Sequence, residues 1–154
     1  MTHFDPFTSS FWAAIGVSVA CGAIVGLERQ MRGKPAGVRT SILICMGTAV
    51  FIRLGTSLSA APADPTRVLG QLVTGVGFLG AGVMFSREGT IVGMTSAAVV
   101  WVLAAMGAAI GFELYSGAVA LALVTVVILV GIDLIERGRL RSGRSERDSG
   151  SKYG

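Results

Sequence analysis

The sequence predicts an all-helical (all-α), polytopic membrane protein with five transmembrane helices, its N-terminus outside and its C-terminus in the cytoplasm. Three observations carry the prediction. Of 154 residues, 52% are hydrophobic and only 14% charged, with a mean hydropathy of +0.70, a balance that leaves too little charge to coat a small soluble domain. Five apolar stretches, each near the ~20 residues needed to cross a bilayer, are separated by short polar turns. Finally, placing residues 28–40, 86–90 and the tail inside collects eleven of the thirteen Lys and Arg, leaving Arg53 and Arg67 near the outer face, as the positive-inside tendency requires.

Residues 1–10 form an external tail holding the single histidine, His3. They carry no Lys or Arg, and no small-residue cleavage site follows the next apolar run, so a secretory signal peptide is not expected. The first span, Phe11 to Leu27, has Phe7, Phe11 and Trp12 as interfacial anchors. Its Ser18, Gly22 and Gly26 draw a stripe of small side chains that lets another helix approach. The loop Glu28 to Thr40 holds four basic residues and is broken by Gly33, Pro35 and Gly37. Glu28 and Arg32 stand four apart and pair if the first helix continues.

The second span, Thr40 to Leu58, contains Arg53 near its outer end, where snorkelling to the headgroups is expected. A short turn over residues 59–63 follows. The stretch Asp64 to Phe85 is read as a central membrane helix: Asp64 caps it and Pro65 opens it. Gly70, Thr74, Gly77 and Ala81 then recur at four, three and four residues, a second stripe for close packing. The same stretch contains a literal GxGxxG, Gly75 to Gly80. A dinucleotide site needs a preceding strand and an acid about twenty residues on, and neither is present.

Residues 86–90 carry a turn signal, and Ile91 to Met94 is a short apolar piece that fits a re-entrant segment. Thr95 or Ser96 is expected to cap a fourth span ending near Gly111, with Gly107 and Gly111 as a GxxxG pair. The fifth span runs from Ser116 to Ile135, and Asp133 can reach Arg137 at four-residue spacing. Residues 11–136 thus make the membrane domain. Residues 137–154 are rich in Ser, Gly and Arg and are expected to stay disordered, a solvated flank able to lie on anionic lipid. Cys21 and Cys45 lie in apolar spans with no CxxC partner, so packing roles are expected rather than disulfide or zinc chemistry.

Several of these stretches together resemble the MgtC/SapB family of bacterial inner-membrane proteins: Gly26-Leu27-Glu28-Arg29, the run Gly33 to Thr40, Asp64 to Val68, Gly75 to Gly82, and Gly93 to Ala98 with Trp101. The resemblance spans roughly residues 20–112. It implies a five-helix domain of the bacterial inner (plasma) membrane, linked to growth under low magnesium, with some members modulating other membrane machines such as the proton-driven ATP synthase. The chain departs from the longer members in lacking their soluble C-terminal domain, and from the fourth-span motif in having Thr95-Ser96 where Thr-Thr is usual.

Two functions follow as expectations. In the first, the protein is regulatory, docking on another membrane complex or a second copy of itself through its small-residue faces and basic loop; the partners are then lipid and membrane protein, not nucleic acid. In the alternative, it is a transporter or channel for magnesium or another cation, with Asp64, Gln71 and Glu113 as an outer mouth of oxygen ligands. No cofactor is expected, and magnesium enters only with Asp64 as its candidate ligand. Arg29, Arg39 and Thr40 suit an anionic group, but no nucleophile and base stand at useful spacing, so no enzyme is expected. Glu28, Arg29, Arg39 and Thr40 inside, Asp64, Arg67 and Gln71 outside, and Thr95 with Ser96 are the candidate functional residues.

Overall fold

The computed structural model describes the backbone of residues 5–57, 65–87 and 90–150, and the side chains of 5–57, 67–84 and 92–135. Its elements in order are α1 (Ser9–Met31), α2 (Val38–Ser57), α3 (Pro65–Gly82), β1 (Phe85–Arg87), β2 (Thr90–Val92), α4 (Met94–Gly111) and α5 (Tyr115–Gly150). Among the described residues, four helices are long and apolar enough to cross a bilayer: α1, α2, α4 and the Tyr115–Ile135 part of α5. Helix α3 falls outside that set, because Arg67, Gln71, Thr74 and five glycines dilute its apolar residues.

Close approach organises the bundle. A Cβ on Gly22 would lie 2.6 Å from Ile42 Cα, and one on Gly26 2.6 Å from Val38 Cα, so α1 and α2 run antiparallel with backbones nearly touching. Added carbons at Gly107 and Gly111 would strike α2, the first at the Cys45 carbonyl and 2.7 Å from Thr48 Cβ, the second 2.6 Å from Ile52 Cβ. Helices α2 and α4 therefore lie parallel. In a bilayer, such contacts stand in for the hydrophobic drive that lipid cannot supply.

Four helices build the main core, which joins Cys21 and Val25 of α1, Cys45 and Ala49 of α2, Leu103 and Met106 of α4, and Ala118 and Ala122 of α5. Both cysteines are free and fully buried, and Cys45 Sγ donates to the Leu103 carbonyl at 3.3 Å. Hydroxyls inside the helices bond back to their own backbone, Ser18 to Ala14 at 2.8 Å and Thr125 to Leu121 at 2.6 Å. These two hydroxyls therefore need no water.

Helix α3 is peripheral rather than central. It runs antiparallel to α2 and α4, with Val68 against Gly55 at one end and Val83 beside Gly93 at the other, and it adds only Val76 to a small second core with Val100 and Ala104. Its stripe of small residues does not pack against the described residues of the chain. Gly70 and Gly77 have nothing within 4 Å of an added Cβ, and Thr74 and Ala81 are exposed. The inward face is instead set by Leu72, Val76 and Val83, which are bulky enough to reach α4.

Two further expectations are corrected. Ile91 and Val92, expected to open a re-entrant segment, belong instead to strand β2, which pairs antiparallel with β1, Phe85 opposite Val92 and Arg87 opposite Thr90, so the described fold is helical with a two-stranded ribbon. Neither Thr95 nor Ser96 caps α4. The cap is Gly93 at φ 95°, a left-handed position that suits glycine, and an added Cβ there would strike the Val83 carbonyl. The helical backbone of α5 runs to Gly150; a helix already nucleated in an apolar segment extends without a new nucleation penalty. Asp64 and the turn at 59–63 lie outside the described residues, as does the side chain of Arg137, the expected partner of Asp133.

Candidate functional site

Two polar clusters sit at opposite ends of the bundle. The first gathers where α1 ends, α2 and α4 begin and α5 passes. Because α1 continues beyond Leu27 to Met31, Glu28 and Arg32 fall one turn apart, and Glu28 Oε1 meets Arg32 Nε at 2.5 Å. Arg32 also pairs with Asp133 of α5. Arg29 points inward and is 2% exposed. Its Nη2 donates to the Pro35 carbonyl at 3.2 Å and to Ser96 Oγ.

The loop makes this possible. Gly33 (φ 61°) and Ala36 (φ 59°) are both left-handed, and the resulting fold turns the Pro35 carbonyl toward Arg29 and the Ala36 carbonyl toward Ser41 Oγ, 3.2 Å away. A non-glycine residue in that region costs about 1 kcal/mol, which the contacts of the loop offset. Two carboxylates, Glu28 and Asp133, thus face two guanidiniums, Arg29 and Arg32. The Glu28 side chain is 9% exposed. Its Oε2, like Arg29 Nε, is buried with no hydrogen-bond partner among the described residues.

Chemically the cluster ties helices together. Ser96 Oγ accepts from a guanidinium, which cannot take a proton from it, so the serine is not an activated nucleophile. A cation at Glu28 would meet Arg29 and Arg32 on either side. Among the described residues no group of three or more His, Cys, Asp or Glu could hold a metal ion.

At the other end, Arg53 is 2% exposed. Its Nη2 bonds Glu113 Oε1 at 2.9 Å and the Tyr115 hydroxyl at 3.0 Å. The expected snorkelling is overturned: the side chain turns into the protein because the α4–α5 connection brings an acid and a phenol to it. Glu113 itself stands at φ 64°, a strained position for a non-glycine residue. This carboxylate, expected at a cation mouth, is engaged by Arg53.

Of the candidate residues, the structure brings Glu28, Arg29 and Ser96 into one cluster. Arg39, Thr40 and Thr95 are exposed nearby, Arg67 and Gln71 are exposed on α3, and Asp64 lies outside the described residues. Asp133, Arg53 and Tyr115 were missed as partners across helices. The available signal was topological: alternating helices put the end of α2 beside the α4–α5 connection. Between α2 and α3 there is also a cleft of about 690 Å³, walled by Leu43, Gly47 and Phe51 on one side and Leu72, Gly75 and Leu79 on the other, with Thr40 and Gln71 at its rim.

The MgtC family profile matches residues 15–138. Escherichia coli (strain K12) YhiD, whose given name attaches it to magnesium transport, is 46% identical over 119 residues, covering 73% of this chain and 55% of YhiD. Protein MgtC of Brucella abortus is 35% identical over 133 residues, 82% of this chain and 54% of its own length. Protein MgtC of Salmonella typhimurium is 38% identical over 120 residues, 78% of this chain and 50% of its own. The chain therefore spans about half the length of the curated relatives it matches. No solved structure matches it. With the family profile covering most of the chain, the protein is a membrane protein belonging to the MgtC family.

Proposed function

We propose that the chain is an accessory or regulatory protein of the bacterial inner membrane that acts on another membrane complex in magnesium homeostasis, crossing the bilayer five times with its N-terminus outside. The observation that carries this reading is the outward face of α3. Gly70, Thr74, Gly77 and Ala81 present small side chains away from the protein's own helices, and Phe78 beside them is 81% exposed. A small-residue face is what another transmembrane helix needs for close approach. The buried charges support it as well. Arg29, Arg32 and Arg53 join helices to each other, whereas charges on an ion pathway line an aqueous route.

Photo-crosslinking in cells tests the reading. A photoreactive residue at Thr74 should capture one distinct membrane protein, and Gly77→Leu, which has room within the chain, should abolish the capture while leaving the fold intact. Capture of the chain by itself alone would point to a homo-oligomer, and no capture under magnesium limitation would remove the proposal. The transport alternative draws on the name of the E. coli relative. Saturable magnesium flux into liposomes holding the purified protein, reduced by Asp64→Asn, would establish it instead.

A further inference from the structure

The α2–α3 cleft differs from the small-residue face of α3 and calls for a different occupant. One of its walls is α2, which lines it with two adjacent rows at four-residue spacing, Thr40, Ile44 and Thr48 beside Leu43, Gly47 and Phe51. One turn before Leu43, the second row carries Arg39, which is exposed. Since helical side chains tilt toward the N-terminus, Arg39 reaches out past the mouth at Thr40. The first turn of α2 contains no acidic residue, so the positive end of its dipole adds to the guanidinium. The cleft is therefore largely apolar, with Thr48 and Gln71 as polar points in its lining, and cationic at one end.

Its length decides what fits. From Thr40 to Phe51 is about eleven helical rises, or ~16 Å, close to the ~15 Å of hydrocarbon in one leaflet and half of what a spanning helix requires. We propose that the cleft holds one acyl chain of an anionic bilayer phospholipid, with the headgroup phosphate at Arg39. The chain lies between Leu43 and Phe51 on one side and Leu72 and Leu79 on the other. Gly47 and Gly75 leave the room for it: neither has any atom within 4 Å of an added Cβ, although both line the cleft.

The test is native mass spectrometry of the purified full chain in mild detergent, titrated with phosphatidylglycerol or phosphatidylcholine of identical acyl chains. The wild type should retain one phosphatidylglycerol about fivefold better than phosphatidylcholine, the preference expected of a single basic contact. Arg39→Ala should remove that preference while still binding either lipid weakly. Gly47→Leu and Gly75→Leu, which fill the cleft from opposite walls, should each lose the bound lipid with helix content and melting unchanged. Equal retention of the two lipids by the wild type, a preference that survives Arg39→Ala, or retention unaffected by both leucines would overturn the proposal. So would a dimer that the leucines dissociate without changing bound lipid, since that outcome gives the cleft to a second copy.

Discussion

At Gly107 the missing side chain is what allows α4 to lie against α2. A Cβ there would meet the Cys45 carbonyl, a backbone atom that cannot rotate away, so Gly107→Val should destabilise the protein by about 3 kcal/mol or more, read as a loss of thermal stability in detergent. Gly16 has nothing within 4 Å of the same added atom, and Gly16→Ala in the exposed face of α1 should be neutral or slightly stabilising. Both substitutions begin by adding a Cβ to a helical glycine, and what stands opposite that atom sets the sign of the effect. Ser96 and Thr95 make a similar pair. Ser96 is buried and accepts from Arg29, so Ser96→Ala leaves a buried guanidinium short of an acceptor and should cost about 1–3 kcal/mol. Thr95 is exposed, and Thr95→Ala should stay within about 0.5 kcal/mol of wild type. Equal effects of the two would mean that the Arg29–Ser96 contact does not hold α1 to α4.

Between elements, the Arg53–Glu113 pair ties α2 to the α4–α5 connection. Glu113→Gln and Arg53→Met should each destabilise, and the double variant should lose less than their sum. A coupling of about 1 kcal/mol is expected, below that of a fully buried pair because Glu113 is nearly half exposed; additive losses would show the contact to be incidental. This pair also shows where the sequence was legible. Spans α1, α2, α4 and α5 could be read from apolar runs, and the small residues of α1 and α4 from their spacing, because those signals are local. The Glu28–Arg32 pair was equally local, one turn along a helix. What joins residues far apart in the chain left no such mark: Arg53 with Glu113, Arg29 with Ser96, Arg32 with Asp133. The stripe on α3 was visible as a pattern, but spacing alone cannot say whether a face turns toward the protein or away from it. Likewise Gly93 holds its place through a left-handed backbone and the Val83 carbonyl, neither of which a capping rule based on Thr95 or Ser96 considers.

For the whole molecule, the two polar clusters divide the bundle into ends. Arg29, Ser96 and Asp133 mark one, and Arg53, Glu113 and Tyr115 the other, with successive helices alternating in direction between them. Because α2 and α4 lie parallel and Arg29 donates to Ser96, the strands Phe85–Arg87 and Thr90–Val92 stand at the same end as the basic loop at Lys34, and the five-pass reading puts that end inside. If α3 did not cross, α4 would begin outside and run against α2, so the strands would be outside and the parallel packing at Gly107 and Gly111 would be lost. Single cysteines separate these cases, and Cys21 and Cys45 are fully buried, so they add little background to a membrane-impermeant maleimide applied to intact cells. Ser9→Cys, Thr56→Cys and Leu114→Cys should label, all three sites being exposed. Lys34→Cys and Arg87→Cys should label only after the membrane is opened. Labelling at residue 87 in intact cells, with residue 34 still protected, would take α3 out of the membrane and overturn the parallel packing of α2 and α4. It would also leave the small-residue stripe without a bilayer in which to meet another helix, and the α2–α3 cleft without acyl chains to fill it.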